Sequence, residues 1–366
     1  MGLNSSWDYG KIYCSTISKI LICDMFPHLK DFTIGLEMDE EHWIYLDESK
    51  KEGISVVLMD ACHCPGSVMF LFKGKMGTVL HTGDFRFHPS MLDNPLLCPP
   101  GRRNDEMMGL TIDIDYLHLD NTFANPEYDF PTREVAYNSL KDIVTNHRAY
   151  RVFVFSYNLG KEEVLLNLAD DFETLIVVDQ DRMNKAVKMN LKPHMFTTEP
   201  HEGFIHVKSI KDLKSFDIEE CNKEEPTIFI ILTGWNDKYN RNLPFYFKVP
   251  YSSHSNYREI EKFVRACTPK NLIYNVDDRA ITKRRLEFQQ YLMKEYCRKG
   301  PNATQVIDDP LKGYVQRKFD DKTKIKMLKD KNEEQKLPDG FGANGDTTLT
   351  ERFNPNNVEL NKRRFE

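Results

Sequence analysis

Asp60-Ala61-Cys62-His63-Cys64-Pro65-Gly66-Ser67, followed by Gly77-Thr78-Val79-Leu80-His81-Thr82-Gly83-Asp84, is the stretch on which the reading of this sequence turns. Both halves have one form, an apolar β-rich run that gives way to a polar turn. Residues 55–61 (SVVLMDA) lead to His63, and residues 78–81 lead to Asp84. The intervening run 68–73 (VMFLFK) and the turn 74–77 (GKMG) predict a hairpin with 78–81. A histidine and an aspartate on successive strand-end loops can converge on one point. Imidazole nitrogen and carboxylate oxygen suit zinc, and zinc turns water into a nucleophile at neutral pH. A lone histidine is more often a hydrogen-bonded core residue and a lone aspartate a turn residue. The pair, in this local sequence and 21 residues apart, favours a metal site.

Composition sets the outer bounds. The 366 residues are 40% hydrophobic and 29% charged, which describes one large or two ordinary globular domains. The formal net charge of −6 argues against general nucleic-acid coating but leaves room for a local basic groove. No apolar run approaches the ~18–20 residues of a membrane span, and the first residues carry no secretory pattern. Eight scattered cysteines without a CxxC pair read as reduced thiols.

Outward from the opening stretch, residues 1–125 read as short strands and turns, with 116–120 (YLHLD) another strand. From about 130 the pattern alternates between helix and strand. Helices are expected over 133–145, 161–172, 256–267 and 282–298, and strands over 151–156, 175–178, 227–232 and 272–276. Such alternation predicts an α/β sheet covered by helices. Residues 315–366 are rich in Lys, Asp, Glu and Asn, and read as largely disordered or weakly helical.

Further segments fall into order: Tyr13-Cys14-Ser15, Leu119-Asp120-Asn121-Thr122, Tyr157-Asn158-Leu159-Gly160-Lys161-Glu162, Thr233-Gly234-Trp235, and Pro250-Tyr251-Ser252-Ser253-His254-Ser255-Asn256-Tyr257. With HCPGS and HTGDFR, the set resembles the DNA-repair branch of the metallo-β-lactamase/β-CASP nucleases, the branch of Apollo, Artemis and their cross-link-repair relative. The resemblance runs from residue 2 to about 298. It implies a metallo-β-lactamase αββα sandwich, incomplete at its N-terminus, in residues 1–125 and 249–300. A β-CASP α/β domain would be inserted over 126–248, with a charged tail over 301–366.

The resemblance also implies roles. His63 would bind a first zinc, Asp84 would bridge two, and His254 would bind the second. Asp120 would orient ligand histidines, although by itself it reads equally as a turn carboxylate. The substrate would be DNA with a 5′-phosphorylated end. Lys161, at a strand-to-helix turn whose free amides favour an anion, is the candidate phosphate contact with Asn158 and Gly160. Asn158 stands where the family has serine, which removes a hydroxyl. Ser67 and Thr233 are weaker candidates for substrate hydroxyls, and Trp235 is as readily core as base-stacking. A solvated lysine is the ordinary alternative for Lys161, and His206 reads as structural. The basic run Lys283-Arg284-Arg285, with Lys294, Arg298 and Lys299, reads equally as a DNA contact or a solvated helix face.

The family's HxHxDH motif does not occur in these 366 residues, and His28 and His42 stand alone. Gly2-Leu3 match the Gly-Leu that follows the motif in the family, which implies a shortened start. The resemblance leaves the first zinc His63 and Asp84 and the second Asp84 and His254, two ligands each where catalytic zinc ordinarily has three, so the chain as written is expected to bind zinc poorly, to have little nuclease activity and to be poorly soluble. The function implied is a metal-dependent 5′→3′ DNA exonuclease of interstrand cross-link repair or telomere-end processing, in the nucleus. The alternatives are a catalytically inactive DNA-binding or scaffold protein and an RNA-processing β-CASP nuclease.

Overall fold

The computed structural model describes residues 3, 7, 10–46, 49, 51–97, 112–157, 159–276 and 282–298. Asn158 and the whole of 301–366 lie outside them, as does the expectation for the charged tail.

The chain opens with β1 (Ile12–Ser15), α1 (Thr16–Met25) and β2 (Thr33–Leu36). β1 and β2 pair in parallel, and parallel neighbours need a crossover, which α1 supplies. Strands and turns were expected throughout this region. The β-branched Ile17, Ile20 and Ile22 disguise the helix, while the Ser15 hydroxyl accepts from the Ser18 amide at 3.1 Å and caps it.

β3 (Glu41–Tyr45), β4 (Gly53–Asp60), β5 (Val68–Gly74), β6 (Gly77–His81) and β7 (Tyr116–Leu119) follow. β3 to β6 are antiparallel neighbours, including the expected hairpin of β5 and β6. β6 and β7 are parallel. β4, β6 and β7 therefore run in one direction, and their C-terminal ends lie along one edge of the sheet.

The chain then leaves this sheet. It continues through α2 (Arg133–Asn146), β8 (Arg151–Ser156), α3 (Glu162–Phe172), β9 (Ile176–Val177) and α4 (Gln180–Lys188). β10 (Phe196–Thr197), β11 (Ile205–Ser209), α5 (Ile218–Glu224), β12 (Thr227–Leu232) and β13 (Tyr246–Val249) complete a second sheet. Its six strands are all parallel, in the order β10-β9-β11-β8-β12-β13. Both faces are apolar. Val152, Val154, Ile228 and Ile230 pack with α2 and α3, and Phe153, Phe155, Phe229 and Ile231 pack with Ile218 of α5. Burial on two faces is why these strands read as unbroken apolar runs.

Finally α6 (Tyr257–Cys267), β14 (Asn271–Tyr274) and α7 (Lys283–Tyr296) return to the first sheet, where β14 pairs with β7. Ile260, Phe263 and Val264 of α6 and Phe288 and Leu292 of α7 cover one face over Leu71, Leu80 and Leu117. Leu36 of β2 packs with Val56 and Leu58 on the other face. Among the described residues no helix is long and apolar enough to cross a membrane.

Candidate metal centre

Three strand ends and one return loop meet at a point. His63 follows β4, Asp84 follows β6, Asp120 follows β7, and His254 lies between β13 and α6. The ligand atoms of His63, Asp84 and His254 all lie within 4.8 Å of one another. Gly83, at φ +56° with Val68 O 3.1 Å from where a Cβ would sit, makes the turn that delivers Asp84.

The hydrogen bonds determine which nitrogens are offered. His63 Nδ1 lies 2.9 Å from the Ser253 carbonyl oxygen. His254 Nδ1 lies 2.8 Å from Asp120 Oδ2. Both acceptors require a proton on Nδ1, which leaves the Nε2 lone pairs free for an ion. The rings sit edge to face, with centroids 4.5 Å apart. Burial first, and then the neighbouring His254, push the His63 pKa down to about 4, so it is neutral at physiological pH as a ligand must be. Enclosure raises the carboxyl of Asp84, with His254 acting against it.

Asp120 is 2% exposed and accepts from four donors. Its Oδ2 takes His254 Nδ1 and the Phe85 amide, the latter at 3.2 Å. Its Oδ1 takes the Thr122 amide and hydroxyl at 2.9 and 2.6 Å. Burial pushes its pKa up, but the bonds from His254 and Thr122 outweigh that and hold it below the ordinary carboxylate value. Its lone pairs are committed, so it orients His254 instead of facing an ion.

Two imidazoles with settled tautomers and one carboxylate form the donor set of catalytic zinc, three protein ligands with positions left over. By this measure the residues fit one divalent ion.

The loop after β8 lies against this point. At Gly160, φ +95°, a Cβ would stand 3.2 Å from Cys64 Cβ and 3.5 Å from the His63 carbonyl. Lys161 is only 5% exposed, so it is not the solvated first-turn lysine that a bare sequence suggests. Its Nζ donates to Ser253 Oγ at 2.7 Å and lies 4.9 Å from the centre of the Tyr251 ring. Burial first, and then Arg133, push its pKa down to about 7. The start of α3 departs from the expected free anion nest, because the Gly160 amide already donates to Glu162 Oε2 at 2.8 Å.

The remaining candidates divide. The Ser67 hydroxyl is committed within its own loop, accepting from the Cys64 amide at 3.0 Å and donating to the Cys64 carbonyl at 2.8 Å. It shapes the turn that carries His63. Thr233 is buried, and its hydroxyl accepts from the Trp235 amide at 3.2 Å. In the basic run, Arg284 pairs with Glu127 at 3.2 Å but stays exposed, Lys283 is exposed 3.8 Å from Glu287, and Arg285 is buried and donates to the Asn121 carbonyl at 2.8 Å. His206 is buried in β11 beside Phe153, well away in the second sheet.

Sequence reading missed two arginines. Arg86, 3% exposed, donates to the carbonyls of Ser252 at 2.9 Å and Pro131 at 3.0 Å and pairs with Glu259 at 2.9 Å. Arg133 reaches the Cys62 carbonyl and lies 3.6 Å from Glu163. The signal for Arg86 was in view, a charge between two aromatics in Phe85-Arg86-Phe87.

Residues 190–280 match the family model described as DNA repair metallo-beta-lactamase. Over 276 residues the chain is 38% identical to a 5′ exonuclease Apollo of Danio rerio, covering 74% of this chain and 45% of that protein. It is 36% identical to the 5′ exonuclease Apollo of Rattus norvegicus, at 75% and 48% coverage. With the human DNA cross-link repair 1A protein the identity is 31%, at 73% and 26% coverage. The chain thus spans about half the length, or less, of these curated relatives. Matched in sequence across both sheets, with paired histidines and an aspartate drawn together at the strand ends, it belongs to the DNA-repair metallo-β-lactamase family.

Proposed function

We propose that this chain is a metal-dependent DNA nuclease, a 5′→3′ exodeoxyribonuclease that prefers 5′-phosphorylated ends. Its setting is interstrand cross-link repair or telomere-end processing in the nucleus. The observation that carries the reading is the convergence of His63, Asp84 and His254 within 4.8 Å. The chain path is in keeping with a metallo-β-lactamase part in 1–125 and 249–300 and a β-CASP insert over 126–248, since the second sheet enters between β7 and β14.

His63 and His254 would hold zinc through Nε2 and Asp84 through its carboxylate. Bound there, the ion supplies an acidified water and positive charge against the phosphodiester. The residues of the chain do the rest. Asp120 keeps His254 in one tautomer, and the Ser253 carbonyl does the same for His63. Lys161 is a buried amine that donates to the Ser253 hydroxyl and faces the Tyr251 ring, with its pKa pushed down to about 7. A terminal phosphate would favour its charged form.

Asp84→Asn and His63→Ala are expected to abolish release of nucleotides from a 5′-phosphorylated single strand. Lys161→Met should reduce the preference for 5′-phosphate over 5′-hydroxyl ends; equal loss on both would remove the phosphate role. Matched DNA and RNA strands digested side by side separate this reading from an RNA-processing one. A second reading is DNA binding without turnover: among the described residues three donor groups serve one ion, where the resemblance implies two ions. Its test is turnover at saturating zinc. Sustained digestion that depends on His63 overturns it.

A further inference from the structure

The turn after β12 is built onto the metal loop. A Cβ at Gly234 would lie 2.8 Å from Ser252 Cβ and 3.2 Å from the Phe123 ring, so glycine lets the two loops touch. The next residue, Trp235, is half-buried. Phe123 and Tyr128 brace its ring at 4.8 and 5.5 Å, and Phe123 meets the His254 ring at 6.0 Å. Two ring contacts therefore separate the indole from a metal ligand. The Lys238 ammonium sits 4.3 Å from the indole centroid.

The loop that carries Trp235 and Lys238 belongs to no helix or strand. Side-chain bonds hold it, among them Asn236 Nδ2 to the Glu127 carbonyl at 2.7 Å and the Tyr246 hydroxyl to the Tyr239 carbonyl at 2.9 Å. The three N–H of Lys248 Nζ, from β13, are shared among the carbonyls of Trp235, Asn236 and Lys238, at 3.2, 2.9 and 3.3 Å, and Asn240 Oδ1 at 2.5 Å. Lys238 and Arg241 outnumber Asp237 over residues 234–241, so the complement of the loop is anionic.

We propose that residues 234–241 form a nucleobase shelf beside the metal centre. Trp235 stacks on a base of the bound strand. Lys238 swings from the indole to the adjacent phosphate, and Lys248 is a positioning residue that keeps the loop closed. The identity of the strand as DNA rests on the nuclease reading above; the shelf rests on the geometry.

The test is binding of a fluorescent 5′-phosphorylated oligothymidylate to the full chain in EDTA, read by anisotropy. Trp235→Ala should weaken binding about tenfold or more, and Trp235→Phe should stay within about threefold. Lys248→Met should match Trp235→Ala, and the double variant should be no worse than either. Wild-type indole fluorescence should fall on binding, with no such change in Trp235→Phe. A strand with one abasic nucleotide, moved position by position, should weaken wild-type binding at one place and leave Trp235→Ala unaffected. In turnover, Lys248→Met should raise KM and leave kcat in place. Binding by Trp235→Ala within twofold of wild type, or no position sensitive to base removal, overturns the shelf. Because the binding arms need no turnover, they separate the two readings. A wild type that binds in this pattern yet never cleaves retains the shelf and loses the nuclease. Cleavage abolished in His63→Ala, with binding indifferent to Trp235, does the reverse.

Discussion

Asp120 is a carboxylate close to the candidate metal centre, and four donors occupy it. Its part is to hold the Nδ1 proton of His254. Asp120→Asn should therefore lower zinc affinity by about 10- to 100-fold, measured by competition with a colorimetric chelator. Unchanged affinity would mean that His254 is held by other contacts. A second residue gives a pH dependence free of metal. His206 is 7% exposed, and burial first, then Lys208 and Arg151, push its pKa down from 6.5 to about 4. The folded chain leaves it neutral where the unfolded chain takes up a proton. Its contribution is thus present above pH 6.5 and lost as pH falls toward 4. At ~1.4 kcal/mol per pH unit this amounts to roughly 3 kcal/mol. Urea midpoints of His206→Phe should fall less than those of the wild type between pH 7 and pH 4.5; parallel declines would place the acid sensitivity elsewhere.

Among the elements, the strands do the aiming and the helix starts anchor the loops. β4, β6 and β7 end side by side, so the residues that follow them share one rim. The cap of α6, two residues after His254, is a capping box: Asn256 Oδ1 accepts from the Glu259 amide at 2.9 Å, and Glu259 Oε2 accepts from the Asn256 amide at 3.0 Å. Asn256 Nδ2 also donates to the Phe130 carbonyl at 2.6 Å. Asn256→Ala should cost about 1–2 kcal/mol of stability and should also loosen His254. Asn256→Asp, which keeps the cap, should recover part of the loss in a denaturation series. The sequence displayed α6 to within one residue and β8 and β12 in full, because α6 carries a strong apolar period and the two strands are unbroken apolar runs. α1 was hidden, since short β-branched runs look alike in helix and strand.

For the whole molecule, Arg86 joins segments far apart in the chain. It binds the carbonyls of Pro131 and Ser252 and the carboxylate of Glu259 at once. Arg86→Met should cost about 3–5 kcal/mol, because Glu259 is then left with a poorly compensated charge. Arg86→Met with Glu259→Met should be more stable than the single change in chemical denaturation. If both variants unfold alike, the pair is not what holds the loop.

The sequence alone determined many of the elements and the candidate ligand types, though not α1, α4, β11 or α5, because apolar periods, glycine turns and ordered motifs are short-range features. It also displayed His63, Asp84, Asp120 and His254 as candidates. Only the tertiary structure decided that they meet. The bond from His63 to Ser253 spans 190 residues, and its geometry is the sum of every crossover and register between them. The same holds for burial. Lys161, Arg284 and Ser67 are each a polar residue in a polar stretch. Whether the charge is enclosed beside the site, paired with Glu127, or in the case of Ser67 spent on its own turn depends on what the rest of the chain packs against it.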